Sequence, residues 1–296
     1  MKKIALIPQS VGTPGPGIVL YGDDQVLTRE QLQSCCFFVP HYMGPEPNAY
    51  LMQQMPNLEV VQLLTAGFEH ALQFLPEGVT LCNAKGVHDA STSELAIGLI
   101  LASLRGIDSA ARDMVTGTWD HLRHVSLADR RVLVIGTGGV GRAIHDRLLP
   151  FEVTIQMMAR TSRDGIATPD QLPALLPQCD IVVIAVPLDA STRHLVDGGF
   201  LAQMRDGALL VNVSRGAVVD TEAIVAEAGR LRFALDVTDP EPLPRDHPLW
   251  SSPDVLITPH LGGNTTAFIP RATRLVSEQV ARWQSGSEVD GIVVKA

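Results

Sequence analysis

Residues 131–141 read Arg-Val-Leu-Val-Ile-Gly-Thr-Gly-Gly-Val-Gly, an apolar run that ends in spaced glycines. The run Val132–Ile135 predicts a buried strand, and the spacing of Ile144, Leu148 and Leu149 predicts a helix after the turn. At such a junction, a G-x-G-x-x-G pattern lets the backbone approach a pyrophosphate, to which the helix N-terminus offers N–H donors. The chain has 25 glycines, so this glycine pattern could also arise by chance in an ordinary strand–turn–helix. The strand before it and the helix after it favour a dinucleotide site. The predicted site comprises Gly136, Thr137, Gly138, Gly139, Val140 and Gly141.

The size and composition of the chain are typical of a two-domain α/β protein, with 296 residues, 46% hydrophobic and 19% charged. No apolar run reaches the roughly 18 residues of a membrane span, and the first residues are too short for a signal peptide, so we expect a cytoplasmic protein. The net charge of −9, without a basic block, argues against a nucleic acid or a membrane as partner. The four cysteines lack C-x-x-C spacing, which predicts neither a metal site nor a disulfide framework.

The apolar runs fall into two groups along the chain. Before residue 90, four short runs predict the strands of a small α/β unit: Ile4–Ile7, Cys36–Val39, Val60–Leu63 and Val79–Leu81. From Arg131, strands alternate with crossovers, which predicts a mainly parallel, doubly wound sheet of the Rossmann type. These six predicted strands are Val132–Ile135, Val153–Met157, Ile181–Val186, Ala208–Val213, Phe233–Asp236 and Val255–Thr258.

Two helices frame the predicted sheet domain. Ser91 and Glu94 form a capping-box pattern, which predicts a long helix from Thr92 to about Met114 that is buried at a domain or subunit interface. A last helix, with Pro270 near its first turn, is expected to pack back on the N-terminal unit. The predicted domains are therefore a discontinuous substrate domain, 1–93 and 265–296, and a dinucleotide-binding domain, 94–264, with a cleft between them.

Three polar segments each follow a predicted strand of the sheet domain. They are 212–220, 236–243 and 258–263, and they carry Asn212-Val-Ser-Arg-Gly, Asp236-Val-Thr-Asp-Pro-Glu and Thr258-Pro-His-Leu-Gly-Gly. Ligands of open α/β sheets bind outside the carboxyl ends of the strands. We therefore expect Arg215, Glu241 and His260 to converge.

With these segments the chain resembles the D-isomer-specific 2-hydroxyacid dehydrogenases, which include the glyoxylate/hydroxypyruvate reductases. The likeness covers nearly the whole chain and includes residues 63–69 (Leu-Leu-Thr-Ala-Gly-Phe-Glu) and Val186-Pro-Leu with Thr192; residues 212–263 are its most specific part. The resemblance implies an NAD(P)-dependent enzyme, usually a homodimer, whose smaller substrate domain is a discontinuous flavodoxin-like α/β unit.

The resemblance also implies roles for individual residues. Arg215 would bind the carboxylate and carbonyl of the substrate, His260 would be the acid/base, and Glu241 would orient His260. These residue types suit the reaction: a guanidinium matches a carboxylate, an imidazole exchanges protons near neutrality, and a carboxylate favours the imidazolium. Each also has an ordinary alternative as a surface arginine, a loop carboxylate or a structural histidine, but their joint order favours the functional interpretation.

Other candidates rest on the resemblance with alternatives open. Asp236 would bond the nicotinamide carboxamide, or it is a strand-end Asp in a turn, which its neighbours disfavour. The remaining predicted cofactor contacts are Val186, Pro187, Thr192 and Gly262. The backbone amides of Ala66 and Gly67 would hold the substrate carboxylate, or they form a plain turn. Tyr42, with His41 and Met43, would line the substrate pocket, or it is packing. Trp119 would reach a pocket across a dimer interface, or it belongs to the core or interface.

The choice of cofactor depends on the end of the second sheet strand. NAD sites usually place an acidic residue there, about 20 residues beyond the glycines. The sequence instead reads Met-Ala-Arg-Thr-Ser at 158–162, and Asp164 lies too far along. Arg160, with Thr161 or Ser162, would suit a 2′-phosphate, which favours NADP over NAD. Alternatively, Arg160 stacks on adenine and the enzyme accepts either cofactor.

The predicted function is an NADP-preferring oxidoreductase that interconverts a small 2-oxo acid and its D-2-hydroxy acid, with glyoxylate or hydroxypyruvate as the leading substrates. Within the same fold, a bulkier 2-keto acid or formate is the alternative. Formate oxidation loses no alcohol proton and would want a different partner for His260, so Glu241 counts against it. A non-catalytic nucleotide-sensing scaffold is a further alternative, disfavoured because all three catalytic positions are filled.

Overall fold

The computed structural model describes residues 3–42, 48–163, 165–252 and 254–296, so Met43 and Asp164 lie outside the described residues. The chain divides into two units. One unit comprises Met1–His88 and Thr265–Ala296, and the other comprises Asp89–Asn264.

The first unit starts with five strands that lie in one sheet. Its first helix, α1 (Arg29–Ser34), begins with a capping box in which the Thr28 hydroxyl accepts the Gln31 amide and the Gln31 side chain accepts the Thr28 amide. A second, short helix is α2 (Glu69–Leu72). The strands are β1 (Ile4–Pro8), β2 (Ile18–Tyr21), β3 (Cys35–Phe38), β4 (Val60–Gln62) and β5 (Thr80–Cys82).

The described residues of the second unit form a seven-stranded sheet and six helices. The helices are α3 (Asp89–Arg105), α4 (Ile107–Thr116), α5 (Gly139–Leu148), α6 (Leu172–Leu175), α7 (Gly198–Ala202) and α8 (Thr221–Glu227). The strands are β6 (Arg131–Ile135), β7 (Thr154–Met158), β8 (Ile166–Ala167), β9 (Ile181–Ile184), β10 (Leu209–Asn212), β11 (Arg232–Leu235) and β12 (Val255–Ile257).

All pairs in this sheet are parallel, in the order β12-β11-β10-β9-β6-β7-β8. The chain winds outward in both directions from the β6–β9 pair, which confirms the predicted α/β fold of the Rossmann type. The apolar side of α3 packs on this sheet: Ile100 and Leu104 share a buried cluster with Val132, Val134 and Val183. The apolar half of α3 is therefore covered by its own unit.

The chain then returns to the first unit through α9 (Phe268–Ser285) and β13 (Ile292–Val294). The sheet there has the order β13-β5-β4-β3-β1-β2; β13 is antiparallel to β5, and the described pairs among the other strands are parallel. Gln279 of α9 is buried, and its amide donates to the Gln62 side chain (2.7 Å) and to the Asp290 carbonyl (2.7 Å). Short 3₁₀ helices span Asn48–Gln54, Leu149–Phe151, Pro169–Gln171, Leu176–Gln178, Gly216–Val218 and Pro248–Ser251.

Two expectations for the helix after residue 90 are wrong. The helix starts at Asp89, so Ser91 lies inside the first turn and not at the capping position before it, which the predicted capping box of Ser91 and Glu94 requires. The predicted continuous helix to Met114 is instead two helices, α3 and α4, bent by 64°. Gly106 separates them with φ +61°, a left-handed conformation that ends a helix and that glycine adopts without steric cost.

The segment that follows α4 is open to solvent. Trp119 is 94% exposed, so of its expected places the core is wrong, and a place at an interface stays a prediction. Among the described residues no single helix is long and apolar enough to cross a membrane; only the bent pair α3–α4 reaches that length and hydropathy together. The same residues include no group of three or more His, Cys, Asp or Glu side chains that could hold a metal ion.

Candidate active site

The predicted site residues of the second unit lie at one edge of its sheet. Because the strands are parallel, their carboxyl ends meet at that edge, where open α/β sheets bind ligands. Gly136 follows β6, Arg160 follows β7, Arg215 follows β10, Asp236 follows β11, and His260 follows β12. Residues far apart in sequence are thereby placed on neighbouring loops.

The glycine loop after β6 fits a dinucleotide. Gly136 has φ +119°, and a Cβ there would lie 2.2 Å from the Ala185 carbonyl oxygen, so only glycine is accommodated. A Cβ on Gly141 would lie 2.0 Å from the Gly136 carbonyl oxygen, so glycine at this position is what lets α5 pack closely on the turn. At Gly138, a Cβ would meet nothing within 4 Å. The middle glycine therefore faces open space beside the N-terminus of α5, where a phosphate can approach the backbone.

The loop after β10 presents Arg215 through bonds made by Asn212. The Asn212 side-chain oxygen accepts from the amide (3.0 Å) and hydroxyl (2.8 Å) of Ser214, and its amide group donates to the Arg215 carbonyl (3.0 Å). A Cβ on Gly216 would lie 1.8 Å from the Thr238 carbonyl oxygen. Glycine at this position therefore lets the Arg215 loop approach the loop that carries Glu241.

His260 and Glu241 are joined by a short hydrogen bond. Their atoms Nδ1 and Oε1 lie 2.6 Å apart, and the two side chains are 31% and 42% exposed. The hydrogen bond from His260 holds the pKa of Glu241 below its ordinary value, against the effect of burial, and the charges of His260 and Arg215 act in the same direction. Glu241 is therefore an anion that fixes the ring, and Nε2 is the nitrogen left for a reacting group.

The loop that carries His260 is tied to Asp236, at the end of β11. His260 has φ +52°, and its amide donates to the Asp236 carbonyl (2.8 Å). The Asp236 carboxylate is buried and accepts from the Thr258 hydroxyl (2.7 Å) and from the amides of Leu261 (2.7 Å) and Gly262 (2.8 Å). A Cβ on Gly262 would lie 2.9 Å from Asp236 Oδ2, so this approach also needs glycine.

At the end of β7, Arg160 meets an acid that the sequence alone did not reveal. Its Nη1 lies 3.4 Å from Asp189 Oδ2 and 3.3 Å from the Ser191 hydroxyl. Hydrogen bonds from the hydroxyl and amide of Ser191 hold the pKa of Asp189 below its ordinary value, with help from the charge of Arg160. The Thr192 hydroxyl donates to the Pro187 carbonyl (2.7 Å), which closes the loop after Val186. Thr161 and Ser162 are exposed.

The remaining predicted substrate residues belong to the first unit. The Ala66 and Gly67 carbonyls accept from the Asn83 side-chain amide (2.7 Å) and the Thr65 hydroxyl (2.7 Å), which fixes their turn. The Tyr42 ring stacks on Phe268, with 4.0 Å between ring centroids. The substrate-binding roles of Ala66, Gly67 and Tyr42 stay predictions.

Comparison with known proteins identifies the family. Residues 97–262 match the family model described as D-isomer specific 2-hydroxyacid dehydrogenase, NAD binding domain. The chain belongs to this family. The resemblance, the fold and the activity class of an NAD(P)-dependent D-2-hydroxyacid dehydrogenase are thereby confirmed.

Two sequence relatives and one solved structure are similar to this dehydrogenase over most of its length. A glyoxylate reductase from Thermofilum pendens is 33% identical over 267 residues, which are 84% of this chain and 78% of that protein. A mitochondrial formate dehydrogenase 2 from Oryza sativa subsp. japonica is 31% identical over 279 residues, 88% of this chain and 72% of that one. The structure of a D-isomer specific 2-hydroxyacid dehydrogenase from Xanthobacter autotrophicus Py2 in complex with NADPH and MES aligns with a TM-score of 0.81 at 27% identity, over 99% of this chain and 98% of that chain.

Proposed function

We propose that this dehydrogenase reduces glyoxylate or hydroxypyruvate with NADPH, and that Arg215, Glu241 and His260 carry the reaction. The hydrogen bond of 2.6 Å between His260 and Glu241 is the observation on which the proposal rests, because it prepares an imidazole for proton transfer at the ligand-binding edge of the sheet. The similarity to a glyoxylate reductase at 33% identity supports the substrate class.

In the proposed reaction the residues bind, orient and protonate the 2-oxo acid. When bound, the reduced nicotinamide supplies a hydride to the carbonyl carbon. Arg215 binds the carboxylate with two parallel N–H donors and polarises the 2-oxygen. His260 gives its Nε2 proton to that oxygen, while Glu241 accepts from Nδ1–H and stabilises the imidazolium. Hydride and proton together convert the carbonyl into the alcohol of the 2-hydroxy acid.

The residues at the sheet edge could hold the whole cofactor. The loop Gly136–Gly141 and the N-terminus of α5 would bind the pyrophosphate. Strand β7 lies on one side of β6 and β11 on the other, so Arg160 would meet the 2′-phosphate and Asp236 the nicotinamide end. A relative solved with NADPH supports this choice. Asp189 offsets part of the charge of Arg160, which reduces the preference for a 2′-phosphate. We therefore expect the enzyme to accept NADH as well, but to bind it less tightly than NADPH.

The similarity to formate dehydrogenases raises the second candidate substrate. Formate has no alcohol proton to lose, so its oxidation has no use for a carboxylate that stabilises a protonated imidazole. The bond between Glu241 and His260 therefore favours a 2-oxo acid over formate.

We also propose that the enzyme is a homodimer. Three apolar side chains on α4 and after it are almost fully exposed: Met114 (82%), Val115 (88%) and Trp119 (94%). Such a group of exposed apolar side chains is typical of a surface that a partner covers. Light scattering at micromolar concentration should give twice the mass of the chain, and Trp119→Ala should lower it; a monomeric wild type would contradict the proposal.

The substrate is tested with a panel of 2-oxo acids and formate, each with NADPH and NADH (the oxidised cofactors for formate). We expect glyoxylate or hydroxypyruvate with NADPH to give the highest kcat/KM. Arg215→Ala should lower it by about 100-fold or more, because two charge-assisted hydrogen bonds are lost. Arg245→Ala, which removes an exposed arginine, is the matched control and should behave as wild type. Full activity of Arg215→Ala on the best substrate would contradict the assignment.

A further inference from the structure

We propose that Asp236 is a positioning residue for His260, which it holds by clamping residues 258–262. This inference rests on the proposed acid/base role of His260, and it goes beyond the contact with the nicotinamide carboxamide expected for Asp236.

The clamp consists of four hydrogen bonds to one strand-end residue. The Asp236 carboxylate receives the Thr258 hydroxyl and the Leu261 amide on Oδ1 and the Gly262 amide on Oδ2, all within 2.8 Å. Its carbonyl receives the His260 amide at 2.8 Å. Bonds therefore reach the loop two residues before His260, at His260 itself, and one and two residues after it.

The backbone of His260 requires such a support. Its φ of +52° lies in the left-handed region, which a residue with a side chain keeps only where the surroundings over-determine it. The donors on both sides of His260 converge on Asp236, a residue that is only 2% exposed. Without this acceptor the loop loses the contacts that fix the direction of the imidazole.

A carboxylate is specifically needed, because the two backbone amides use different oxygens. Leu261 donates to Oδ1 and Gly262 to Oδ2. An asparagine has one side-chain oxygen, so it would set its own NH₂ group against one of these N–H donors. Asp236→Asn keeps the shape of the side chain but loses the acceptor for one of the two backbone amides, so it breaks the clamp. A carboxylate has about four acceptor positions, of which three are occupied here, so the clamp accounts for most of its bonding capacity.

The test compares Asp236→Asn and Thr258→Val with Asp246→Asn, an exposed carboxylate on the same loop as Glu241. Steady-state kinetics gives kcat, and fluorescence titration gives the Kd for NADPH and for 2′-phospho-ADP-ribose, which lacks the nicotinamide. The imidazole resonances of the ¹⁵N-histidine-labelled apoprotein report His260 without any turnover, assigned by their loss in His260→Asn.

We expect Asp236→Asn to lower kcat by about 100-fold, the size of effect produced by a misplacement of about 1 Å. Its Kd for 2′-phospho-ADP-ribose should be unchanged, and its His260 resonance should move; a higher Kd for NADPH alone would report the contact with the nicotinamide carboxamide. Thr258→Val removes one of the four bonds and should lower kcat by about 5-fold. Its His260 resonance should move in the same direction as in Asp236→Asn. If Asp236→Asn fails to fold, Thr258→Val carries the test. Asp246→Asn should match wild type.

Two results would overturn the clamp. One is a wild-type His260 resonance in the clamp variants. The other is an Asp236→Asn protein whose kcat returns to the wild-type value at saturating NADPH, which would assign Asp236 to the nicotinamide alone. Failure of the proposed function is seen separately, as a wild type without 2-oxo acid reduction or a His260→Asn variant with full activity; the resonance still tests the clamp.

Discussion

Glu241→Gln removes the charge beside His260 and keeps the shape of the side chain. Unit charges about 4 Å apart interact by about 1 kcal/mol in water and about 4 kcal/mol at a protein surface. Because the side chains of His260 and Glu241 are 31% and 42% exposed, solvent screens the pair, and we expect about 1 to 2 kcal/mol. At neutral pH this lowers kcat/KM for 2-oxo acid reduction by roughly 10-fold, because the imidazolium that donates the proton is less favoured.

The assay follows NADPH absorbance from about pH 5 to about pH 9, the range in which an imidazole titrates. In Glu241→Gln the rate should be lower over the whole range, because no carboxylate then accepts from Nδ1–H of His260. Since the pKa of Glu241 is lowered, its carboxylate is ionised throughout this range, and its contribution is lost only as pH falls through that lowered value, below the range of the assay. Asp246→Asn, which removes the same charge from an exposed position, should leave the profile in place. An unchanged profile and rate in Glu241→Gln would refute the reasoning.

Three further changes test other contacts. Gly262→Ala places a Cβ 2.9 Å from Asp236 Oδ2, so kcat should fall about 10-fold, and a wild-type kcat would show that the loop tolerates the Cβ. Arg160→Ala should raise the Kd for NADPH about 10-fold and leave the Kd for NADH unchanged. Asp189→Asn removes the ion pair with Arg160 and should lower the Kd for NADPH up to about 5-fold. Equal effects on the Kd values of both cofactors in titrations would contradict a 2′-phosphate site at Arg160. Gln279→Ala loses buried bonds to Gln62 and Asp290, so the free energy of unfolding in urea should fall by about 2 to 4 kcal/mol, against little change for the exposed Gln284→Ala; equal stability of the two variants would contradict this.

The strands at the centre of each sheet could be predicted because their buried faces are continuous apolar runs. The strand Ile18–Tyr21 was not predicted, since it is short and follows a Gly/Pro-rich loop, and the two-residue strand Ile166–Ala167 has too little pattern to detect. The break at Gly106 depends on tertiary contact. A lone glycine is tolerated in a helix. Here, however, a Cβ on Gly106 would lie 2.2 Å from Cε1 of the His124 ring, a contact that the sequence does not reveal.

The pairing of Glu241 with His260 could be predicted because each residue follows a strand of one parallel sheet, and strand ends meet at one edge. The contact of Asp189 with Arg160 could not, although both follow strands of this sheet, because an Asp before Ser and Thr in sequence suggests only a local turn. The clamp at Asp236 was missed for a related reason. Its partners are a hydroxyl and backbone amides, which leave no charge pattern in the sequence.

The crystal structure of the complex with NADP⁺ and oxamate, a 2-oxo acid analogue that resists reduction, tests the central claim most directly. We expect the Arg215 guanidinium on the carboxylate and His260 Nε2 within about 3.2 Å of the 2-oxygen, with Nδ1 still bonded to Glu241. An analogue bound away from Arg215, or an imidazole whose Nε2 points away from the 2-oxygen, would contradict the account.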